Sequence, residues 1–319
     1  MRRLTVVALG GNALIRRGEI GTLDEQRAHI EESVIPLARL AAEGLPLIVT
    51  HGNGPVVGQL LLQAELARRE VPLMPLHVMD AESQGSVGFL LQQALRNRLR
   101  LEGVEREVVA LVTQVVVDVA DPDFSHPSKP VGAFYGEPEA RVLAAERGWT
   151  VAEDSGRGWR RRVPSPRPLR IPEAQIIGQL ARAGIVTIAA GGGGVPVTED
   201  AQGCLRGVDA VVDKDRASAV LGLEAGAERL VILTSIDAVY SGFGTAAERA
   251  LPVLSVTEAE ALLQAGEFPP GSMGPKIDAA VRFLRGGGAE VRIGLPEHMD
   301  SLLRGERGTF MRAEGSGRA

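Results

Sequence analysis

Lysine is scarce in this chain of 319 residues: Lys129, Lys214 and Lys276 stand against thirty-two arginines. Cysteine is scarcer, with Cys204 alone. A single thiol excludes an internal disulfide, and its setting between Gly203 and Leu205, with no His or second Cys at ligand spacing, gives it no metal or nucleophile role. Aromatic residues make up 3% of the chain, too few for a base-stacking platform. With a net charge of −5 and no basic stripe, nucleic acid is excluded as a partner. No apolar run approaches the roughly 20 residues that cross a bilayer. Leu4 to Leu9 ends in Gly10-Gly11 and does not resemble a signal peptide, so a cytoplasmic protein without a membrane partner is expected.

What is present fits one large α/β domain or two lobes, with 45% hydrophobic and 24% charged residues and enough length for a proper core. Short β-branched or apolar runs at Leu4 to Leu9, Leu45 to Thr50, Val108 to Val117, Ile185 to Ala190, Arg229 to Thr234 and Glu290 to Ile293 read as buried strands. Between them, three- and four-residue apolar spacing predicts helices over Asp24 to Glu43, Pro55 to Arg69, Ala81 to Leu101, Pro172 to Ala183, Ala217 to Ala225 and Pro275 to Arg285. Thr22 with Glu25 fits a capping box and Gly44 a C-terminal stop. The alternation implies a mostly parallel sheet with helices on both faces, and ligands bound beyond the carboxyl ends of its strands. The polar, Gly-rich tail from Arg312 to Ala319 is expected to fray.

One stretch breaks the pattern. From about residue 120 to 169 the chain is dense in Pro, Gly, Arg and aromatics and too long for a connection. It reads as an inserted subdomain or lid, with two Trp and the Phe134-Tyr135 pair arguing for a small packed core.

The chemistry falls on loops after strands. Gly10-Gly11-Asn12 follows the first strand and His51-Gly52-Asn53-Gly54-Pro55 the second, where backbone N–H groups and a helix start can cradle a phosphate or carboxylate. Four glycines, Gly191 to Gly194, exceed what a turn requires and suit a backbone that passes close to a ligand. No P-loop or dinucleotide G-x-G-x-x-G motif is present, and no His pair has metal-ligand spacing. His51, beside an anion loop, suits a loop-fixing hydrogen bond. Each lysine lies in a Gly, Pro, Asp or Ser context (Ser128-Lys129-Pro130, Asp213-Lys214-Asp215, Gly274-Pro275-Lys276) instead of a polar helix face. Lysine is a compact point charge where arginine is a planar fork, so such sparing use suits a phosphoryl group in transfer. Asp213 and Asp215 either continue a strand from Ala210-Val211-Val212, on the side opposite Lys214, or cap a following helix.

These motifs, with Ser83-Gln84-Gly85, Val112-Thr113-Gln114 and Pro270-Gly271-Ser272-Met273-Gly274-Pro275-Lys276, occur in an order that closely resembles the carbamate kinases of the amino-acid kinase fold, from about residue 4 to 310. The resemblance implies a three-layer α/β/α sandwich with a central mostly parallel sheet and a protruding inserted subdomain. It implies a carbamoyl phosphate- or carbamate-binding lobe over 1–212, which includes the 120–169 insertion, and a nucleotide-binding lobe over 213–319. It further implies a cytoplasmic homodimer of arginine metabolism that uses ATP or ADP with Mg²⁺. By the same resemblance Lys129, Lys214 and Lys276 contact the phosphoryl group and nucleotide phosphates, and Asp215 organises the lysines. Gly10, Gly11, Asn12, Gly52, Asn53 and Gly54 cradle the carbamoyl side, while Tyr240, Met273 and Gly274 lie near base and ribose. Related kinases carry a lysine where Ala8 stands, and Lys129 takes its place from the insertion. Val56, Ala133 and Gly242 stand where Gln, Pro and Asn are usual. The expected reaction is in-line transfer between carbamoyl phosphate and ADP without a general base. The alternatives are a same-fold kinase for another small acid or phosphate, and a non-catalytic nucleotide sensor.

Overall fold

The strand Thr5–Leu9 is buried at every position, which explains why its sequence shows no alternation of apolar and polar residues. In the computed structural model, which describes all residues except 1, 12, 13, 17, 18, 155, 270 and 314–319, it lies inside an eight-stranded sheet. From one edge the order is Val253–Ser255, Thr309–Arg312, Glu290–Gly294, Arg229–Leu233, Thr5–Leu9, Leu47–His51, Val186–Ile188 and Val108–Ala110. All neighbours are parallel except Thr309–Arg312, which runs against Glu290–Gly294.

Successive side chains leave a strand on opposite faces, and here each face meets its own helical layer. Val6, Ile48, Leu230 and Ile232 pack with residues of helices Ala174–Arg182, Lys214–Ala225 and Met273–Arg285. Val7, Leu9, Val49 and Val231 pack with helices Leu23–Ala42, Leu76–Leu101 and Met299–Arg304. This is the expected three-layer α/β/α sandwich. Within the layers the local signals hold: Thr22 Oγ1 accepts from Glu25 N at 3.3 Å while Glu25 Oε2 accepts from Thr22 N at 2.7 Å. At the other end of that helix Gly44 turns left-handed with φ 75°.

Three expectations need correction. Val108 to Val117 is not one strand: Val108–Ala110 joins the central sheet, whereas Gln114–Val117 joins a four-stranded sheet with Val195–Glu199, Leu205–Gly207 and Pro168–Arg170. The break falls at Leu111–Thr113, where Leu111 N still donates to Ile188 O at 2.9 Å and Thr113 O already accepts from Val195 N at 2.8 Å, and the Gln84 amide braces the crossing: Thr113 N donates to its Oε1 at 2.9 Å and its Nε2 donates to Thr113 O at 3.0 Å. The strand reading of Asp213-Lys214-Asp215 also fails, because residues 210 to 213 are irregular and the helix begins at Lys214. At the tail, Arg312 closes the strand Thr309–Arg312; residues 314–319 lie outside the described residues.

The insertion folds as a three-stranded antiparallel sheet, Lys129–Tyr135, Trp159–Val163 and Thr150–Glu153, with helix Glu137–Arg147. Of its aromatics, Tyr135 and Trp149 meet with ring centroids 6.3 Å apart, a smaller aromatic core than the sequence suggests. The other contacts of its rings are with arginines, Phe134 with Arg157 and Arg160, Trp149 with Arg147 and Arg161, Trp159 with Arg141. The apolar contact is with the body, where Val131 and Val163 join Val57, Leu61, Leu76, Met79 and Val211. An Arg147–Glu65 ion pair adds a second tether.

Gly191 to Gly194 is pinned, with φ between 67° and 101° at its last three residues. A Cβ on Gly192 would lie 2.0 Å from Asn53 Nδ2, and one on Gly191 would lie 2.3 Å from His51 Nε2. The close approach foreseen from the sequence is thus to side chains of the second strand's loop. Gly192→Ala combines left-handed strain with this clash, so it should lower unfolding free energy by roughly 3 kcal/mol or more. Gly103, at φ 71° with nothing within 4 Å, should lose only about 1 kcal/mol as Gly103→Ala. Urea denaturation of both variants checks the difference.

Candidate active site

Parallel neighbours put the carboxyl ends of Thr5–Leu9, Leu47–His51, Val186–Ile188 and Arg229–Leu233 along one edge of the sheet. The chain leaves Thr5–Leu9 toward Leu47–His51 on one side and later returns to Arg229–Leu233 on the other, which makes a crevice at the switch point. The two glycine loops touch there. Gly52 N donates to Leu9 O at 3.1 Å, and a Cβ on Gly52 would lie 3.0 Å from Gly11 N. His51 is buried and its Nδ1–H donates to Gly52 O at 3.0 Å. Burial, opposed by that hydrogen bond and aided by the Lys214 charge, lowers its pKa to about 4. It is a neutral loop-fixing group at pH 7.

The three lysines meet on two carboxylates. Lys129 Nζ, from the insertion, donates to Asp213 Oδ2 at 3.1 Å. Lys214 Nζ donates to Asp215 Oδ1 at 2.6 Å, and Lys276 Nζ, from helix Met273–Arg285, to Asp215 Oδ2 at 2.7 Å. Asp213 also caps helix Lys214–Ala225, its Oδ1 accepting from Asp215 N at 3.0 Å and Arg216 N at 3.3 Å. Side-chain exposure falls from 36% for Lys129 to 16% for Lys276, 11% for Lys214 and 4% for Asp215, so the Asp215 pairs sit where ions lose most of their hydration. Burial accordingly lowers the Lys214 pKa, and the nearby Asp215 charge counters it. Burial alone would raise Asp213, but Lys129, Lys214 and Lys276 together hold its pKa at about 2. All three ammonium charges therefore lie close enough to bear on Asp213.

Two cavities adjoin this cluster. The larger, about 1130 Å³, has Gly10, Gly11, Tyr240, Met273 and Lys276 in its wall. The smaller, about 570 Å³, lies between helix Gly54–Ala67 and the insertion and includes Asn53, Gly54, Lys129, Gly132 and Arg160. Gly10 and Gly11 thus face the larger space, with Gly11 also against Gly52. Gly274 is buried in the first helical turn beside Met273, and Asn12 lies outside the described residues. Among the described residues no three His, Cys, Asp or Glu side chains are placed to hold a metal ion.

Sequence reasoning gave no role to Arg160, which stacks on Phe134 and donates to Gly132 O and Asp154 Oδ2 at 3.0 and 3.2 Å. Only the tertiary fold separates it from its neighbours in the Arg160-Arg161-Arg162 run. Asp213, weighed only as a cap or strand residue, is the counter-ion of Lys129 as well. Val56 packs in the core with Val7, Leu9 and Leu14 and takes no part in the smaller cavity's wall, whereas Ala133 does.

The amino acid kinase family model matches residues 3–294. A carbamate kinase of Pyrococcus horikoshii is 46% identical over 311 residues, 97% of this chain and 99% of that protein. A carbamate kinase-like protein of Escherichia coli is 44% identical over 98% of this chain and 99% of its own length. A structure of the Giardia lamblia carbamate kinase bound to AMP-PNP superposes with a TM-score of 0.91 at 38% identity, covering 98% of this chain and 99% of that one.

The low Asp213 pKa is a stability statement. A carboxylate depressed from 3.8 to about 2 stabilises the fold above pH 4, and that contribution fades as pH falls from 4 toward 2. Asp213→Asn keeps a capping side chain but removes the charge. Its unfolding free energy at pH 6 should be about 2 kcal/mol below that of the parent, and the gap should close at pH 2. A gap that does not change with pH would contradict the assignment.

Proposed function

The chain belongs to the amino acid kinase family, with carbamate kinases among its full-length relatives, and from that premise we propose how its residues divide the work. The reaction is the carbamate kinase reaction, reversible phosphoryl transfer between carbamoyl phosphate and ADP that yields ATP and carbamate. One observation carries the assignment of residues: the 213–215 segment ties Lys129 of the smaller cavity to Lys276 of the larger one through two neighbouring carboxylates.

Nucleotide occupies the larger cavity, whose wall is formed mainly by residues 233 to 297, with Tyr240, Met273 and Gly274 toward base and ribose. That the Giardia relative binds AMP-PNP supports a nucleotide as ligand, and the size of this cavity with Lys276 in its wall is what assigns the nucleotide to it. Carbamoyl phosphate or carbamate occupies the smaller cavity, formed wholly by residues between 15 and 211. There Asn53 and Gly54 open a helix whose first turn has no acidic residue and no side-chain cap, a suitable anion cradle. Gly52 and Gly11, and with them Gly10 and Asn12, let the loops approach the transferring group. This division corresponds to an acceptor lobe over 1–212 and a nucleotide lobe over 213–319 that share one sheet.

Carbamate oxygen is already an anion, so no base is needed; the task is to bring anions together and neutralise the moving charge. Lys129 approaches from the acceptor side, Lys276 from the nucleotide side, and Lys214 from the helix start. Asp215 keeps Lys214 and Lys276 charged and positioned before substrate arrives. Ala8, fully buried on the first strand, leaves the charge to Lys129. Both site carboxylates are engaged by lysine, so Mg²⁺ would come with the nucleotide and would help to neutralise phosphate charge without a dedicated protein carboxylate. The free, exposed Cys204 accords with a reducing cytoplasm, and a place in arginine metabolism is proposed from the carbamate kinase relationship alone. Leu66, Val71, Leu73, Met74 and Phe89 stand exposed and suit the interface of a homodimer.

Incubation with carbamoyl phosphate, ADP and Mg²⁺ should give ATP in a coupled assay. Lys214→Ala and Lys276→Ala should fold yet lose about a hundredfold or more in kcat, roughly 3 kcal/mol of transition-state stabilisation each. Lys129→Arg keeps charge but not shape, and full activity in it would contradict the point-charge role. Sedimentation equilibrium should give twice the chain mass, and Leu73→Glu should shift the species toward monomer.

A further inference from the structure

Asn53 stands at the N-terminus of helix Gly54–Ala67, where a side-chain oxygen ordinarily accepts from the first helical N–H groups. Here it makes no such bond. Its Nδ2 donates instead to Ser83 Oγ at 2.7 Å. The direction is fixed by the next link: the single Ser83 hydroxyl proton is given to Asp80 O, also at 2.7 Å, so Ser83 Oγ can only accept from Asn53. The amide therefore cannot be reversed without setting two acceptors against each other. The Asp80 carboxyl is buried beside Ser83 on helix Leu76–Leu101, where burial holds its pKa well above the usual carboxylate range and the nearby Asn53 amide offsets this in part. In the static structure neither Asp80 oxygen has a partner within hydrogen-bonding geometry. Gly192 lies against the amide so closely that a Cβ there would fall 2.0 to 2.5 Å from its terminal atoms, which confines the amide plane and leaves the choice of end to Ser83.

With Nδ2 committed to that side, Oδ1 accepts from no described group, and Asn53 lines the smaller cavity. The rest of that wall supplies donors for anionic oxygen, namely Lys129, Arg160 and the uncapped helix start. Among its other side-chain acceptors, Glu19 is engaged by His29 Nε2 at 2.8 Å and Arg16 N at 2.6 Å, and Gln59 commits its Nε2 to Ile20 O at 3.0 Å at the exposed rim, where water satisfies its oxygen. We propose that Asn53 Oδ1 accepts from the amino group of the carbamoyl substrate, and that Ser83 is the positioning residue that holds the amide in that sense. This rests on the assignment of the smaller cavity to the carbamoyl group. An acyl phosphate with a methyl in place of the amino group matches the shape but leaves Oδ1 unpaired in a nearly buried position, which is how a site rejects an isostere.

The test compares kcat/KM for ATP formation from ADP with carbamoyl phosphate and with acetyl phosphate. The parent protein should favour carbamoyl phosphate by about tenfold to a hundredfold beyond any difference in the donors' uncatalysed reactivity. In Ser83→Ala the amide can turn, and in Asn53→Leu the acceptor is gone. Both should lose most of that preference, mainly through a lower rate with carbamoyl phosphate, whereas damage to the fold alone lowers both donors in proportion. Equal use of the two donors by the parent, or proportional losses in soluble variants, overturns this proposal alone. No ATP from either donor with the parent overturns the cavity assignment and this proposal with it.

Discussion

Charged lysines can be kept in a nearly dry crevice only if carboxylates stand against them, and the Asp213-Lys214-Asp215 segment meets that condition for all three lysines at once. An ammonium without its partner would give up its charge or unfold its surroundings. With the partners in place the cations are held in position without substrate, and under the proposed assignment the charge that develops on a migrating phosphoryl group would meet donors that need little reorganisation. Asp215 is the pivot of this arrangement because one carboxylate, 4% exposed, serves two lysines that lie far apart in sequence.

The rest of the architecture serves that segment. Helix Lys214–Ala225 starts at Lys214 because Asp213 caps it, so the capping carboxylate and the counter-ion of Lys129 are the same group. Behind it, buried Ser218 donates to Lys214 O at 2.7 Å and shares a 2.7 Å hydrogen bond with Thr50 of the second strand, which ties the helix start to the sheet. The insertion brings Lys129 in from outside, held by an apolar contact with the body and by the Arg147–Glu65 pair. The cavities on the two sides of the cluster draw their walls chiefly from different halves of the chain, although both halves contribute to one sheet.

Much of this was legible in the amino acids. The apolar runs marked five of the eight central strands within two residues, since strands covered on both faces need apolar residues throughout, whereas the short strands Val253–Ser255 and Thr309–Arg312 were not marked. The three isolated lysines marked the cluster, because each lay in a context unlike a solvated helix face. Other features were hidden for physical reasons. The break between Ala110 and Gln114 is braced by a side-chain amide from a distant helix, and a continuous apolar run concealed it. The insertion's arginines read as surface charge until the fold laid them over Phe134 and Trp149. The orientation of the Asn53 amide follows from the Ser83 proton, which no pattern of residue types reveals.

The central claim is that three ammonium groups from separate parts of the chain converge on one transferring phosphoryl group. A crystal structure with MgADP, aluminium fluoride and carbamate tests this most directly, since the planar fluoride stands in for the phosphoryl in flight. The account predicts Nζ of Lys129, Lys214 and Lys276 all within hydrogen-bonding distance of the fluoride or the oxygens that flank it. It would be contradicted if any one of them stayed bonded only to its carboxylate while the fluoride was held elsewhere.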